Sequence, residues 1–581
     1  MKPGPAALLR LGVRSHAVPE RISLRLQPPD EPLRCLLVQV RFSAFSFWNF
    51  VAACETMGAS TPSPPLGLLT VAALFPQHWQ FRLLDLNTRP FSEEDWAWAD
   101  LVCVGGMLPQ QAGMLAVIER ARRDGKFVAV GGSDPTSQPD VYAAADARVL
   151  GEGESAIPVW LESWRAGEPR GVFREREKPD VTRTPVPRYD LLNFGCYAQI
   201  GVQYSRGCPF NCEFCDIIEL FGRVPRTKTA EQLLGELDRL RELGYSGAVD
   251  IVDDNFIGNK RDVKRLLLPA LIAWSERHGR PFFFTTEASM NLADDDELLG
   301  LMRAAGFRLV FMGIETPDPD LLRMTQKRQN TMRPIVERVR KLYDYGIVVT
   351  GGFIMGFDGE KRGADRAMVG LVEESGICLA MVGLLVALPT TQLTRRLVRE
   401  GRLMDFTGKV VSTEAEAASS ARAEGSMVEV LDQTLAGLNF VTTRDRLEIF
   451  EEYESVVRTL YDPQVYFDRV LRTGLALGSS VPRWPSLWEL RRNLLGFWRV
   501  SLALSADPET RWRYWRNVVR LALRGPMVLE QMMRMMGFYV HIRDQTRYLY
   551  AALGHQKASQ AALPDELRAV APRAAALAPG D

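Results

Sequence analysis

Three cysteines are the residues most able to do chemistry. Cys208, Cys212 and Cys215 are spaced C-x3-C-x2-C, and Phe214 directly precedes the last of them. Three thiolates can hold three irons of a cubane [4Fe–4S] cluster and leave the fourth iron open to a ligand from outside the protein. Structural zinc sites and closed electron-transfer clusters use four protein ligands. The triad therefore indicates a catalytic cluster, and a zinc knuckle that borrows a distant ligand is the alternative.

Composition narrows the classes of protein to consider. The chain has 581 residues, only eight cysteines, and 71 Lys+Arg against 71 Asp+Glu, so its net charge is zero. Zero net charge gives no general attraction to nucleic acid, and we expect no nucleic-acid partner. No run reaches the roughly 18 to 20 apolar residues of a membrane span. Sparse cysteines and the lack of a secretory signal predict a cytoplasmic protein.

The first half of the chain reads as a doubly wound parallel sheet, which is an α/β fold. Apolar strands are predicted at 35–40, 81–87, 100–106, 126–132 and 147–154, with helical stretches between them. Ligands of such Rossmann-like sheets bind beyond the carboxyl ends of the strands. The ends supply ten candidates: Gly105, Gly106, Met107, Gln110, Gly131, Gly132, Ser133, Gly151, Glu152 and Gly153. The glycines would let backbone approach a large flat ligand, although ordinary tight turns also explain them.

A second alternation of strands and helices predicts a partial (β/α)6 TIM-type barrel. Its strands are expected at 200–205, 248–255, 281–289, 307–315, 347–357 and 378–388. The cysteine loop follows the first of these strands, where barrels place their chemistry. Acidic residues and glycines end the later strands, and turns or helix caps are the alternative explanation for them.

The motif C-x3-C-x-aromatic-C resembles the signature of radical S-adenosylmethionine (SAM) enzymes. The resemblance implies that Cys208, Cys212 and Cys215 bind the cluster, whose open iron binds the amino and carboxylate groups of SAM. It also implies seven SAM-contacting residues in the motif and at the strand ends: Phe214, Asp253, Asp254, Glu287, Gly313, Glu315 and Gly352.

The stretch 130–154 resembles the end of the cobalamin-binding domain that precedes many radical SAM domains. It implies that the ten residues of the first sheet bind cobalamin. The Asp-x-His-x-x-Gly motif that supplies a histidine below the cobalt is absent, and His78 is the only histidine of this region. We therefore expect Met107, Leu108 or Gln110 nearest the lower face. The two cofactors together imply methylation of an sp3 carbon with two SAM consumed per turnover.

Longer stretches resemble the hopanoid C-2 methylase branch of these enzymes. They include 41–50, 65–76, 105–113, 208–229, 252–260, 286–299 and 387–397. The resemblance implies a lipid-like substrate and an electron donor of the ferredoxin or flavodoxin type. A non-methylating radical SAM cyclase or rearrangement enzyme of the same architecture, and a non-catalytic cofactor carrier, are the competing hypotheses.

The C-terminal region is predicted to be helical and is rich in arginine and tryptophan. Nine arginines, no lysines and three acids occur between Arg483 and Arg524, together with five tryptophans: Trp484, Trp488, Trp498, Trp512 and Trp515. This mixture suits contact with the inner face of a membrane, and a solvated basic face around buried tryptophans is the alternative explanation.

The predicted organisation has six segments. They are a mobile N-terminal extension (1–32), a cobalamin-binding domain (33–165), a linker (166–198), a radical SAM domain (199–425), a helical domain (426–555) and a disordered tail (556–581).

Overall fold

The computed structural model describes residues 26–42, 46, 49–405, 410–414, 416 and 437–561. Most of the predicted N-terminal extension, the boundary predicted near residue 425, and residues 562–581 of the predicted tail lie outside the described residues. Residues 556–561, which were predicted to be disordered, belong instead to the last helix.

The first domain is built on a six-stranded parallel sheet in the order β2-β1-β3-β4-β5-β6. Its strands are β1 (Arg34–Gln39), β2 (Gln80–Asp85), β3 (Leu101–Gly105), β4 (Phe127–Gly131), β5 (Ala147–Leu150) and β6 (Gly171–Arg174). Helices cover both faces: α1 (Val51–Thr56), α2 (Leu66–Leu74), α3 (Glu93–Trp98), α4 (Gln111–Arg123), α5 (Ser133–Ser137) and α6 (Gly153–Arg165). Buried apolar side chains on both faces explain why β1, β3 and β4 are nearly continuous hydrophobic runs.

The predicted linker begins too early. Strand β6 lies within 166–198 and pairs in parallel with β5 from Gly171 to Arg174. Only Phe173 of its four residues is buried, so the segment has no apolar run that would mark it as a strand.

The second domain is the predicted partial barrel, with six parallel strands in the order β7-β10-β11-β12-β13-β14. They are β7 (Ile200–Val202), β10 (Gly247–Ile251), β11 (Phe282–Glu287), β12 (Phe307–Glu315), β13 (Val348–Met355) and β14 (Ala380–Leu384). A short antiparallel ribbon of β8 (Ser205–Arg206) and β9 (Arg226–Thr227) flanks the cysteine loop. The helices are α7 (Ile217–Leu220), α8 (Ala230–Glu242), α9 (Lys260–Asp262), α10 (Leu268–Arg277), α11 (Asp296–Ala305), α12 (Pro319–Met324), α13 (Ile335–Asp344), α14 (Ala364–Ser375) and α15 (Gln392–Arg399).

Five helices follow the barrel. They are α16 (Arg446–Leu460), α17 (Pro463–Ala476), α18 (Leu487–Ala506), α19 (Pro508–Arg524) and α20 (Pro526–Ala561). Each of α16 to α19 starts at a serine or aspartate whose side chain accepts a hydrogen bond from the first turn. Buried residues of these helices belong to the same hydrophobic core as the barrel, so the helical region packs directly on it. No helix among the described residues combines the length and apolar character needed to cross a bilayer.

Candidate active site

The cysteine loop is fixed at its entrance by backbone contacts. Cys208 donates its N–H to the carbonyl of Gly222 at 3.2 Å. Gly207 has φ +92°, and a Cβ there would lie 2.9 Å from that same carbonyl oxygen, so glycine is required. The path by which the loop leaves the β8–β9 ribbon therefore depends on a glycine at position 207.

Side-chain amide groups lie near two of the three thiols of the cysteine loop. All three cysteines are free. The side-chain amide of Asn255 lies 3.9 Å from the sulfur of Cys208, and that of Gln329 lies 3.9 Å from the sulfur of Cys212. Amide donors near cluster sulfurs are one means by which proteins tune iron–sulfur centres. Among the described residues, no three His, Cys, Asp or Glu side chains converge as they would around a single metal ion.

Asp253 and Asp254 hold the chain as it enters the cysteine loop. Asp253 accepts hydrogen bonds from the N–H groups of Tyr204 and Ser205 at 2.8 and 2.9 Å, and Asp254 accepts one from Gly207 at 2.7 Å. Burial raises the pKa of Asp253 to about 7 and that of Asp254 to about 6. The two predicted SAM-contacting acids therefore position the loop, and both line the cavity described below.

Glu287 ends strand β11 with its open surface facing an interior cavity. The side chain is exposed only within the cavity, where the protein walls reduce the solvation of the carboxyl group. This desolvation, helped by the nearby Asp250 and Asp254, raises its pKa to about 8. A carboxyl that is protonated near neutral pH can donate as well as accept a hydrogen bond, which suits contact with a hydroxyl-bearing ligand.

Three other predicted SAM residues gather around one lysine. Glu315 has φ +68° and forms an ion pair with Lys327. A Cβ at Gly313 would lie 2.6 Å from the Lys327 ammonium, and the same ammonium lies 5.8 Å from the ring of Phe214. Gly313, Glu315 and Phe214 therefore form one cluster around Lys327, a residue that no local sequence pattern marks. Such backbone strain in a non-glycine residue is typical of functional sites.

Gly352 makes room for an aromatic ring. A Cβ at this position would lie 2.8 Å from the ring of Phe311, which lines the cavity. The glycine thus sets the shape of the cavity wall indirectly.

One cavity of about 1520 Å³ connects the two domains. All ten residues predicted at the strand ends of the first sheet line it, and so do Asp253, Asp254 and Glu287 of the barrel. An apolar arm enters the first domain between the sheet and helices α2 and α6, lined by Val71, Leu74, Cys103, Ala129, Ile157 and Trp160. A broad chamber with an apolar side arm fits cobalamin, which has a flat ring system and a long nucleotide tail.

The glycine-rich ends keep the chamber wall flat because backbone packs on backbone there. Gly132 has φ +106°, and a Cβ would lie 2.8 Å from the carbonyl oxygen of Gly106. Gln110 is buried, with its amide donating to Val40 at 2.8 Å and accepting from Met107 N–H at 3.1 Å. Of the three residues expected near the lower face, Met107 and Gln110 line the cavity, and Gln110 has both ends of its amide engaged by backbone.

An ion-pair network crosses between the domains beside the cysteine loop. The carboxylate of Glu152 accepts from Arg206 at 2.7 Å and from Arg226 at 2.6 Å, and Arg206 also pairs with Glu154 at 2.7 Å. The sequence analysis names Glu152 as a cobalamin-binding candidate from its strand-end position alone. In the structure its carboxylate forms ion pairs with these arginines. Arg206 and Arg226 could not be predicted, because no sequence pattern near them indicates that they pair with acidic residues of the first domain.

Comparison with known proteins identifies the family. Residues 202–369 match the radical SAM superfamily, and residues 391–553 match a domain of unknown function (DUF4070). An uncharacterized methyltransferase of Synechocystis sp. is 42% identical over 530 residues, covering 90% of this chain and 94% of that protein. The hopanoid C-2 methylase of Rhodopseudomonas palustris is 34% identical over 519 residues, covering 87% and 92%. This chain belongs to the radical SAM methyltransferases.

The fold of this radical SAM methyltransferase is that of cobalamin-dependent members. The structure of TsrM from Kitasatospora setae with cobalamin and a [4Fe–4S] cluster matches with a TM-score of 0.58 at 16% identity, over 81% of this chain and all of that one. The structure of OxsB with aqua-cobalamin and SAM matches with a TM-score of 0.51 at 16% identity, over 90% and 81%. The predicted order of sheet, barrel and helical region is thereby confirmed.

Proposed function

We propose that this protein is a cobalamin-dependent radical SAM enzyme that methylates an unactivated sp3 carbon of a hopanoid-type lipid at C-2. The enzyme uses a [4Fe–4S] cluster, SAM and cobalamin. The observation that carries the proposal is the single cavity that joins the glycine-rich ends of the first sheet to the carboxyl ends of the barrel strands. Bound together, the cofactors supply a 5′-deoxyadenosyl radical for hydrogen abstraction and a methyl group for the substrate carbon.

The residues of the chain position these groups and keep water out. Cys208, Cys212 and Cys215 bind the cluster, and Asp253 and Asp254 hold their loop at the cavity. Glu287 contacts the ribose hydroxyls of SAM. Phe214, Gly313 and Glu315, which surround Lys327, and Gly352 make the remaining contacts with SAM. The ten residues of the first sheet contact cobalamin.

The barrel interior suits a hydrocarbon substrate. Leu309, Phe311, Val348, Leu379 and Met381 line the cavity inside the barrel. An apolar wall favours a lipid-like body through the hydrophobic effect. The substrate at C-2 of a hopanoid is supported by the 34% identical relative, while the 42% identical relative carries no substrate assignment.

Product analysis tests this function. Reconstituted enzyme is incubated without oxygen with SAM, cobalamin, a low-potential ferredoxin or flavodoxin and desmethyl hopanoid. We expect a 2-methyl product with equal amounts of 5′-deoxyadenosine and S-adenosylhomocysteine. Formation of 5′-deoxyadenosine without S-adenosylhomocysteine would favour the non-methylating alternative. Unchanged hopanoids in a deletion strain would refute the substrate.

The helical region presents an apolar surface that suits a membrane. Trp484, Trp498 and Trp512 are 92%, 62% and 75% exposed, so the interpretation as tryptophans buried under a basic face is wrong. Exposed leucines continue the surface along α18 at Leu487, Leu490, Leu494, Leu495 and Leu502. Exposed arginines flank it: Arg491, Arg499, Arg511, Arg520 and Arg524. Apolar side chains edged by arginine complement an anionic bilayer surface, and we place the enzyme at the inner face of the membrane.

Vesicle flotation tests this contact. We expect the protein to float with phosphatidylglycerol-containing vesicles, and the variant Trp498→Glu/Leu494→Glu to remain unbound. Val224→Glu, which changes a 76% exposed apolar residue on the barrel, is the matched control and should still float. Equal flotation of both variants would refute this surface.

A further inference from the structure

The cavity has a second end that the cofactors and their predicted residues do not explain. Four arginines line it, namely Arg308, Arg483, Arg492 and Arg534. The guanidinium carbons of Arg308, Arg483 and Arg534 lie 4.7, 5.4 and 4.5 Å from the ring centroid of Phe283. We call these four residues the arginine cluster.

The arginine cluster lies at the amino ends of the barrel strands. Phe283 and Arg308 are each the second residue of their strand, β11 and β12. Glu287, at the carboxyl end of β11, is four residues from Phe283, which corresponds to about 13 Å along a strand. The cavity therefore runs the length of the barrel, with Glu287 at one end and the arginine cluster at the other.

The arginine cluster has more positive than negative charge. Glu489 accepts from Arg483 at 2.6 Å, and Glu530 accepts from Arg308 at 3.2 Å and from Arg534 at 3.0 Å. These two carboxylates therefore hydrogen-bond with three of the four guanidinium groups. Arg492 stacks on Trp488 at 4.5 Å, and its buried Nη1 has no hydrogen-bond partner among the described residues. A buried N–H without an acceptor is costly, and four guanidinium groups outnumber the two carboxylates beside them, so an anionic ligand would stabilise this end of the cavity.

We propose that the arginine cluster binds the anionic group of an amphiphilic substrate, a phosphate or a carboxylate. Guanidinium groups bind both through paired N–H donors. The apolar body of the substrate then fills the barrel along Leu309, Phe311 and Met381. It extends toward Glu287, which lies about 13 Å from Phe283 along the strand. This inference rests on the proposed function, because it assigns the polar end of the same substrate.

Calorimetry on the holoenzyme tests the arginine cluster directly. Farnesyl phosphate, farnesol and inorganic phosphate serve as probes, with cluster, cobalamin and SAM bound. We expect farnesyl phosphate to bind about tenfold or more tightly than farnesol, because charge-assisted hydrogen bonds are strong. We expect Arg492→Gln to lose most of this preference and Arg492→Lys to retain part of it. Arg547→Gln, which changes an exposed arginine on α20, the helix that carries Arg534, should bind as the wild type does.

Three outcomes would overturn the inference. Equal binding of farnesyl phosphate and farnesol would show that no anion is recognised, and equally tight inorganic phosphate would reveal a site for free anions. Loss of cobalamin or SAM from Arg492→Gln, with thermal unfolding unchanged, would assign the arginines to a cofactor. Anion preference retained without methylation of hopanoids would instead support the arginine site and refute only the proposed substrate.

Discussion

Arg206, two residues before the first cysteine, donates to the buried carboxylate of Glu152 at a strand end of the other domain, 2.7 Å away. The side chains of Arg206 and Glu152 are only 11% and 2% exposed. This contact makes the position of the cysteine loop depend on the position of the glycine-rich sheet. The contact thereby fixes the relative position of the cysteine loop and the glycine-rich strand ends, which are the two halves of the proposed radical methylation site.

Removing the Glu152 charge should disturb both domains. We predict that Glu152→Gln destabilises the protein by about 3 to 5 kcal/mol, because Arg206 and Arg226 lose a buried partner. Chemical denaturation measures the loss. Glu168→Gln, an exposed turn residue of the same domain, should stay within about 0.5 kcal/mol of the wild type. Equal stabilities of the two variants would show that the network does not couple the domains.

Gly132 should not tolerate a side chain. Its φ of +106° and the 2.8 Å approach of Gly106 predict that Gly132→Ala destabilises the first domain by more than about 1 kcal/mol. We also expect weaker retention of cobalamin, measured by absorbance after gel filtration. Gly235→Ala is the control, because helix α8 leaves open space there and alanine should stabilise by about 0.5 to 1 kcal/mol. Full cobalamin retention by Gly132→Ala would argue against this wall as the cobalamin site.

Glu287 should make the apoprotein less stable as pH rises. Burial raises its folded-state pKa to about 8, whereas the unfolded value is about 4.3. The folded protein therefore binds the extra proton between these values, and stability falls as pH rises through that window. We predict that Glu287→Gln removes part of this fall when denaturation midpoints are compared at pH 5 and pH 9. Glu177→Gln, on the exposed surface, should keep the wild-type slope, and an identical slope in Glu287→Gln would contradict the assignment.

Local sequence patterns were sufficient for the fold. Parallel strands buried on both faces, such as β3 and β4, must be apolar throughout. The helices between them show the helical repeat of apolar residues instead. Strand β6 was not predicted from the sequence, because it is a four-residue edge strand with one buried side chain. The sequence also marked the cysteines, whose spacing carries the chemistry.

Contacts between distant segments could not be predicted in the same way. Glu152 and Arg206 are 54 residues apart, and each would be an ordinary surface residue without the other. The arginine cluster draws Arg308 from the barrel and the other three from the helical region. Charged residues have no periodic signal that would reveal such convergence. The exposure of Trp484 and Trp498 could not be predicted either. It depends on how α18, which contains Trp498, and the segment before it, which contains Trp484, pack on the core.

The central claim is that the three cysteines hold a cluster that generates a radical for methyl transfer. The most direct measurement compares wild type with the Cys208→Ala/Cys212→Ala/Cys215→Ala variant under reducing, oxygen-free conditions with SAM and the lipid substrate. We predict equal yields of 5′-deoxyadenosine, S-adenosylhomocysteine and methylated product from wild type. The variant should form none of them while retaining cobalamin. Methylated product from the variant at the wild-type rate would contradict the account.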